Sequence, residues 1–168
     1  ARDLTSPFHG ARAPANYPDG VLDRARAAAV LLRPDQFFSH GTTAQLYDLP
    51  LPVRLRTDLV HIASPRPHRA SRRTGVVGHS IDRERVTVVH QDGLRTVHPV
   101  DAWCQLAASL TTRELVVMGD ALVRRQEPLA TMEELEQAVA RFRHGRGRRR
   151  LLDALPLVRP RTDSPPES

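Results

Sequence analysis

Apolar positions recur at helical spacing near both ends of this 168-residue chain and at strand spacing in its middle. The run Val21-Leu-Asp-Arg-Ala-Arg-Ala-Ala-Ala-Val-Leu-Leu32 reads as a helix reaching Arg33. Pro34 stops it, because proline lacks an amide proton and crowds the preceding turn. Ser39 is a candidate N-cap for a short second helix reaching Leu49, with Ala44, Leu46 and Tyr47 available for packing. The period then changes. Residues 58–63, 75–81 and 85–91 are short, β-branched runs that read as strands. Asp92-Gly93, placed before Leu94–Val97, marks a two-residue hairpin, since glycine accepts the positive φ of a type I′ turn.

Helical spacing returns after the hairpin. Pro99 suits the first turn of a helix over 100–108. Thr111-Thr-Arg-Glu114 and Thr131-Met-Glu-Glu134 are capping boxes that open helices over 115–125 and 135–143. Gly145 and Gly147 break the latter, and Leu151, Leu152 and Leu155 share a face of one more short helix ending at Pro156. The expected fold class is α+β: two N-terminal helices, a small mainly antiparallel sheet with a hairpin near 92–93, then three or four C-terminal helices. The expected organisation is an extended, Pro-rich arm over 1–20, a body over 21–158, and a Pro-rich tail over 159–168 leading toward a further domain.

Composition removes whole classes of chemistry. No run approaches the ~18 apolar residues of a membrane span. The first residues, Ala1-Arg2-Asp3-Leu4, lack the apolar stretch of a signal peptide, so a cytoplasmic protein is expected. The single cysteine, Cys104, rules out an intrachain disulfide and a cysteine-based zinc cluster. All 25 basic residues are arginine. A P-loop needs lysine on its phosphates and a Schiff-base enzyme needs an amine, so neither can be built from this chain alone. No cofactor is expected.

The charge is segregated. Residues 1–140 hold 17 Arg against 16 Asp and Glu, whereas residues 141–168 hold 8 Arg against 3 acids. Two basic stretches stand out, 54–73 and 141–150. The candidate nucleic-acid contacts are Arg54, Arg56, Arg66, Arg69, Arg72, Arg73, Arg146, Arg148, Arg149 and Arg150, since guanidinium groups on phosphates give salt-dependent affinity. A stretch alone reads as a solvated loop or helix face; both on one face of the fold read as a polyanion site.

The histidines offer a different chemistry. His61, His79 and His90 fall on expected strands, where three imidazoles could meet at a metal or serve a small hydrolase together with Asp101. Their spacing matches no compact ligand motif, and no His-Glu-x-x-His is present, so the expectation is ordinary strand histidines and no metal. His98 and Asp101 read as helix-start residues, and Trp103 and Cys104 as core. His40-Gly41-Thr42-Thr43 reads as plain N-terminal capping rather than a phosphate cradle. A helix-turn-helix over the first two helices fails, because the second carries no Arg and holds Asp48.

Three segments carry a resemblance. Phe38-Ser-His-Gly-Thr-Thr-Ala-Gln-Leu-Tyr-Asp-Leu-Pro50 resembles F-S-H-x-T-A-A-x-L-x-G-L-P. Gly93-Leu-Arg-Thr-Val-His-Pro-Val-Asp-Ala-Trp-Cys-Gln-Leu-Ala107 resembles G-L-x-V-T-x-P-x-x-T-W-x-x-L-A, and Leu115–Arg125 resembles the helix that follows it. These patterns belong to AbiEi-type antitoxins of type IV toxin–antitoxin systems. They also occur in bacterial proteins where the same domain precedes a very-short-patch-repair-like endonuclease domain. The likeness runs over roughly 4–167, and its motifs are structural.

The resemblance implies a non-catalytic, DNA-associated regulatory or binding module of a bacterial defence or repair-like endonuclease. Its alternative is an antitoxin that binds and neutralises a cognate nucleotidyltransferase toxin. Residues 1–20 are too short for the winged helix that usually opens these antitoxins, so operator repression is not implied. Glu167 matches the acidic residue opening the nuclease domain's first helix. Any nuclease active site would then lie beyond Ser168, and no catalytic residue is expected within this chain.

Overall fold

The computed structural model describes residues 20–160 together with the strands β1 (Leu4–Phe8) and β2 (Ala11–Pro14). The rest of the expected arm, and the tail from residue 161, lie outside the described residues. β1 and β2 pair antiparallel, with Leu4 opposite Pro14, and lie against α1 (Val21–Ala29).

The described residues confirm an α+β fold, with six α-helices and one five-stranded sheet besides that hairpin. The sheet contains β3 (Phe37–Phe38), β4 (Val60–Pro65), β5 (Val76–Ile81), β6 (Val88–Gln91) and β7 (Leu94–Val97), in the order β5-β4-β3-β7-β6. It is mixed rather than mainly antiparallel. β3 pairs antiparallel with β4, and β6 with β7, but β4/β5 and β3/β7 are parallel. The reason lies in the connections. A parallel return needs a crossover rather than a tight turn, and residues 66–75 provide one by carrying the chain from the end of β4 back to the start of β5. The tight turn at Asp92-Gly93, with φ of 53° and 77°, produces the expected hairpin.

The helix order also departs from expectation. α2 (His40–Leu46) follows β3, so the sheet begins before the second helix. α3 (Pro99–Gln105), α4 (Thr112–Leu122), α5 (Met132–Arg141) and α6 (Arg148–Ala154) come after the sheet. Both capping boxes form. Thr111 and Thr131 each accept from the backbone N–H of the glutamate three residues on, at 3.1 Å, and each glutamate side chain accepts from its threonine's N–H. His98 caps α3, its Nδ1 accepting from the Val100 N–H at 3.2 Å. α2 buries Gly41 through Ala44 and Leu46, which leaves no exposed face for a nucleic-acid groove.

The central strand is two adjacent phenylalanines, both fully buried, that point to opposite sides of the sheet. Phe38 joins Val60, Ile62 and Leu94 beneath Ala25 and Ala28 of α1. Phe37 joins Ala63, Val97 and Ala102 on the α3 side. The largest apolar cluster lies among the helices, where Trp103, Leu110, Leu115, Met118, Leu122, Leu135 and Leu151 are fully enclosed. The α3 side of the sheet and the helical layer meet along the line that carries the candidate site.

Candidate functional site

A cavity of about 540 Å³ opens between edge strand β5 and helices α3 and α5. Asp101, Cys104 and Gln105 of α3 line it from the helical layer, and His79 lines it from β5. Its cations come from distant parts of the chain. Arg66 follows β4, Arg85 lies in the β5–β6 connection, Arg141 ends α5, and Arg143 and Arg146 precede α6. Arg141 sits 3.5 Å from Asp101, and Arg85 sits 3.4 Å from Asp82. The side chains of Arg66, Arg143 and Arg146 have no hydrogen-bond or ion-pair partner among the described residues. The cavity therefore keeps an excess of positive charge, and a concave, low-dielectric wall of one sign concentrates that field on an incoming anion.

Asp101 anchors the floor. Its Oδ2 accepts from the Thr87 N–H at 2.8 Å, and burial pushes its carboxyl above the ordinary range, against the pull of that N–H and Arg141. Burial, together with the Asp101 charge, pushes the Cys104 thiol up, so this thiol stays protonated and unreactive. Cys104 therefore packs as the core residue its sequence position suggests.

Beside the cleft, three imidazoles gather from three elements. Adjacent parallel strands place partnered residues on one face, and the register pairs His61 with Val77 and Ala63 with His79. His61 and His79 are thus diagonal neighbours on the α3 side, and His61 Nδ1 lies 2.9 Å from His79 Nε2. His40 comes from the β3–α2 junction and stacks on His79, ring centroids 3.6 Å apart and planes within 10°. His40 takes a φ of 52°, a left-handed conformation that costs a non-glycine residue free energy. Its N–H is held by Gln105 Oε1 at 3.0 Å, and its Nδ1 lies 2.9 Å from Ser39 Oγ. Burial lowers the pKa of all three rings, helped at His40 by His79 and His61, and brings His79 to about 4. At neutral pH all three are uncharged.

The structure joins His61 and His79 as neighbouring-strand histidines can be joined, but their companion is His40 and not His90. The strand order explains the exchange. β6 lies three strand spacings from β4, about 14 Å away, and His90 is exposed there.

The expected arginines separate into four groups. Arg66 and Arg146 line the cleft. Arg69, Arg72 and Arg73 form a second basic surface beside Arg33 and Gln36. Arg149 is exposed on α6. The others hold the fold together: Arg54 grips both carboxylate oxygens of Glu114 at 2.6 Å, and Arg56 donates to the Leu51 carbonyl. Arg148 donates to the carbonyls of Val139 and Phe142, and Arg150 to those of Ala107, Ala108 and Leu110. Glu167 lies outside the described residues.

Sequence reasoning passed over Arg85, Gln105 and the partnership of His40. Arg85 shares a short connection with Asp82, Arg83 and Glu84, so its local charge reads as balanced, and Gln105 acts through a backbone contact 65 residues away in sequence. His40 was legible only as a capping-segment residue, because the strand that delivers it is two residues long.

No protein-family model and no curated protein matches the chain. Among the described residues, no helix is long and apolar enough to cross a membrane.

Proposed function

We propose that this chain is a non-catalytic, DNA-associated binding module of the AbiEi-like class it resembles, working as the binding part of a larger endonuclease. Its phosphate-contacting site is the cleft bearing Arg66, Arg143 and Arg146. One observation carries the reading: Arg66 of the 54–73 stretch and Arg143 and Arg146 of the 141–150 stretch, none with a side-chain partner among the described residues, line a single concavity. Convergence of distant like charges raises the self-repulsion of the folded chain, and a polyanion relieves it. Planar guanidinium groups also match phosphate oxygens in a bidentate way that an ammonium group does not.

The test is a salt titration of binding to a fluorescent DNA duplex. Each neutralised phosphate contributes about −0.9 to the slope of log affinity against log salt, so three cleft contacts give a slope near −3. Absence of binding even at low ionic strength overturns the reading.

A further inference from the structure

We propose that His40, His61 and His79 form a binding site for one divalent transition-metal ion of the zinc class, with its remaining coordination position open to the basic cleft. The proposal uses residues that the phosphate-binding reading does not, and it stands or falls separately.

Convergence comes first. The three imidazoles reach one point from the β3–α2 junction, β4 and β5, and one ligand nitrogen from each lies within 4.8 Å of the others. Three-histidine sites with an open fourth position are an established zinc arrangement. With Zn–N bonds of about 2.0–2.1 Å, tetrahedral ligand atoms stand about 3.4 Å apart. Seating an ion opens the 2.9 Å His61–His79 contact by about half an ångström and tilts the rings out of their near-parallel stack, changes that imidazole rotation supplies.

The surroundings fit as well. Ser39 Oγ engages His40 Nδ1, leaving Nε2 as the ligating atom, the kind of outer partner that fixes a tautomer at metal sites. Burial keeps the rings neutral, which is the form that ligates. The left-handed backbone at His40, braced by Gln105, holds that ring in place at a conformational cost. Access is present, because His40 and His79 line the cleft. The three partly buried imidazoles share one mutual hydrogen bond, and coordination to an ion would offset the cost of withdrawing their remaining ring nitrogens from water.

The experiment uses the full chain freed of any polyhistidine tag, stripped with a chelator and titrated with ZnCl₂ by calorimetry and with CoCl₂ by visible absorption. The expected result is one ion per chain with the d–d bands of a four-coordinate site. His61→Gln and His79→Gln should each weaken binding more than about 100-fold, beyond the 10–100-fold typical of losing an outer partner. Ser39→Ala should weaken it about tenfold, and His90→Gln should leave it unchanged. If the ligand variants unfold, wild-type chain carrying ¹⁵N-labelled histidine gives the answer: zinc should shift three of its imidazole resonances together. No binding at zinc concentrations of about 100 μM, binding that survives both ligand substitutions, or shifts confined to other histidines overturns the site. DNA affinity measured in EDTA reports on the phosphate cleft independently.

Discussion

Trp103 Nε1 donates to the Leu115 carbonyl at 2.9 Å, a side-chain bond that ties α3 to α4 across the interior of the helical layer. The indole is fully buried, so this N–H has no water to turn to and its acceptor is part of the fold's requirement. Trp103→Phe removes the donor and part of the ring while keeping an aromatic in place. The expected loss is about 2–4 kcal/mol, combining a lost buried hydrogen bond with a small cavity. Urea unfolding with an unchanged m-value checks it.

Gly147 has a φ of 84°, and a Cβ there would collide with the backbone of Ala107. The residue turns the arginine-bearing loop into α6, whose Leu151 and Ala154 are fully buried. Gly147→Ala therefore meets both a left-handed backbone and a backbone clash. It should destabilise by more than about 2 kcal/mol, the conformational term alone being about 1. Thermal unfolding, with hydrogen exchange along α6, reads the outcome.

Glu114 titrates low, at about 2 against an ordinary 4.5, because the Arg54 guanidinium and the Thr111 N–H both favour its charged form. The folded state thus binds this proton less readily than the unfolded chain does. Its contribution is complete above about pH 4.5 and is lost as pH falls toward 2. Because the pair is exposed, salt should shrink the effect. Glu114→Gln should flatten the acid limb of a melting-temperature profile in that window. An unchanged acid limb refutes the assignment.

The arginines should divide by role. Arg148→Ala and Arg150→Ala leave backbone carbonyls without their donors, and each should lower the melting temperature while preserving the salt slope of DNA binding. Arg66→Ala, Arg143→Ala and Arg146→Ala should do the reverse, each reducing the slope by about 0.9 at nearly constant stability. Parallel melting and salt-titration series separate the two groups.

What could be read from the chain was governed by short-range chemistry. Thr111 and Thr131 with a glutamate three residues on, Pro99 at a helix start, and Asp92-Gly93 between β-branched runs each specify a backbone geometry within a few residues, and each forms. β3 escaped because two residues show no period, even though Phe37 and Phe38 are the sheet's centre. The parallel pairing of β4 with β5 escaped because it depends on which way a loop crosses, and the loop's polar residues do not encode that direction.

The candidate site divides along the same line. By itself the sequence determined an α+β chain without lysine, its charge gathered into two arginine stretches, because composition and local capping follow from residue identity alone. The tertiary structure alone decided that Arg66 meets Arg146, that Arg54 and Arg150 are spent on internal acceptors, and that His40 rather than His90 joins His61 and His79. Those outcomes depend on strand order and register, which set side-chain neighbours over distances that no local pattern of residues spans.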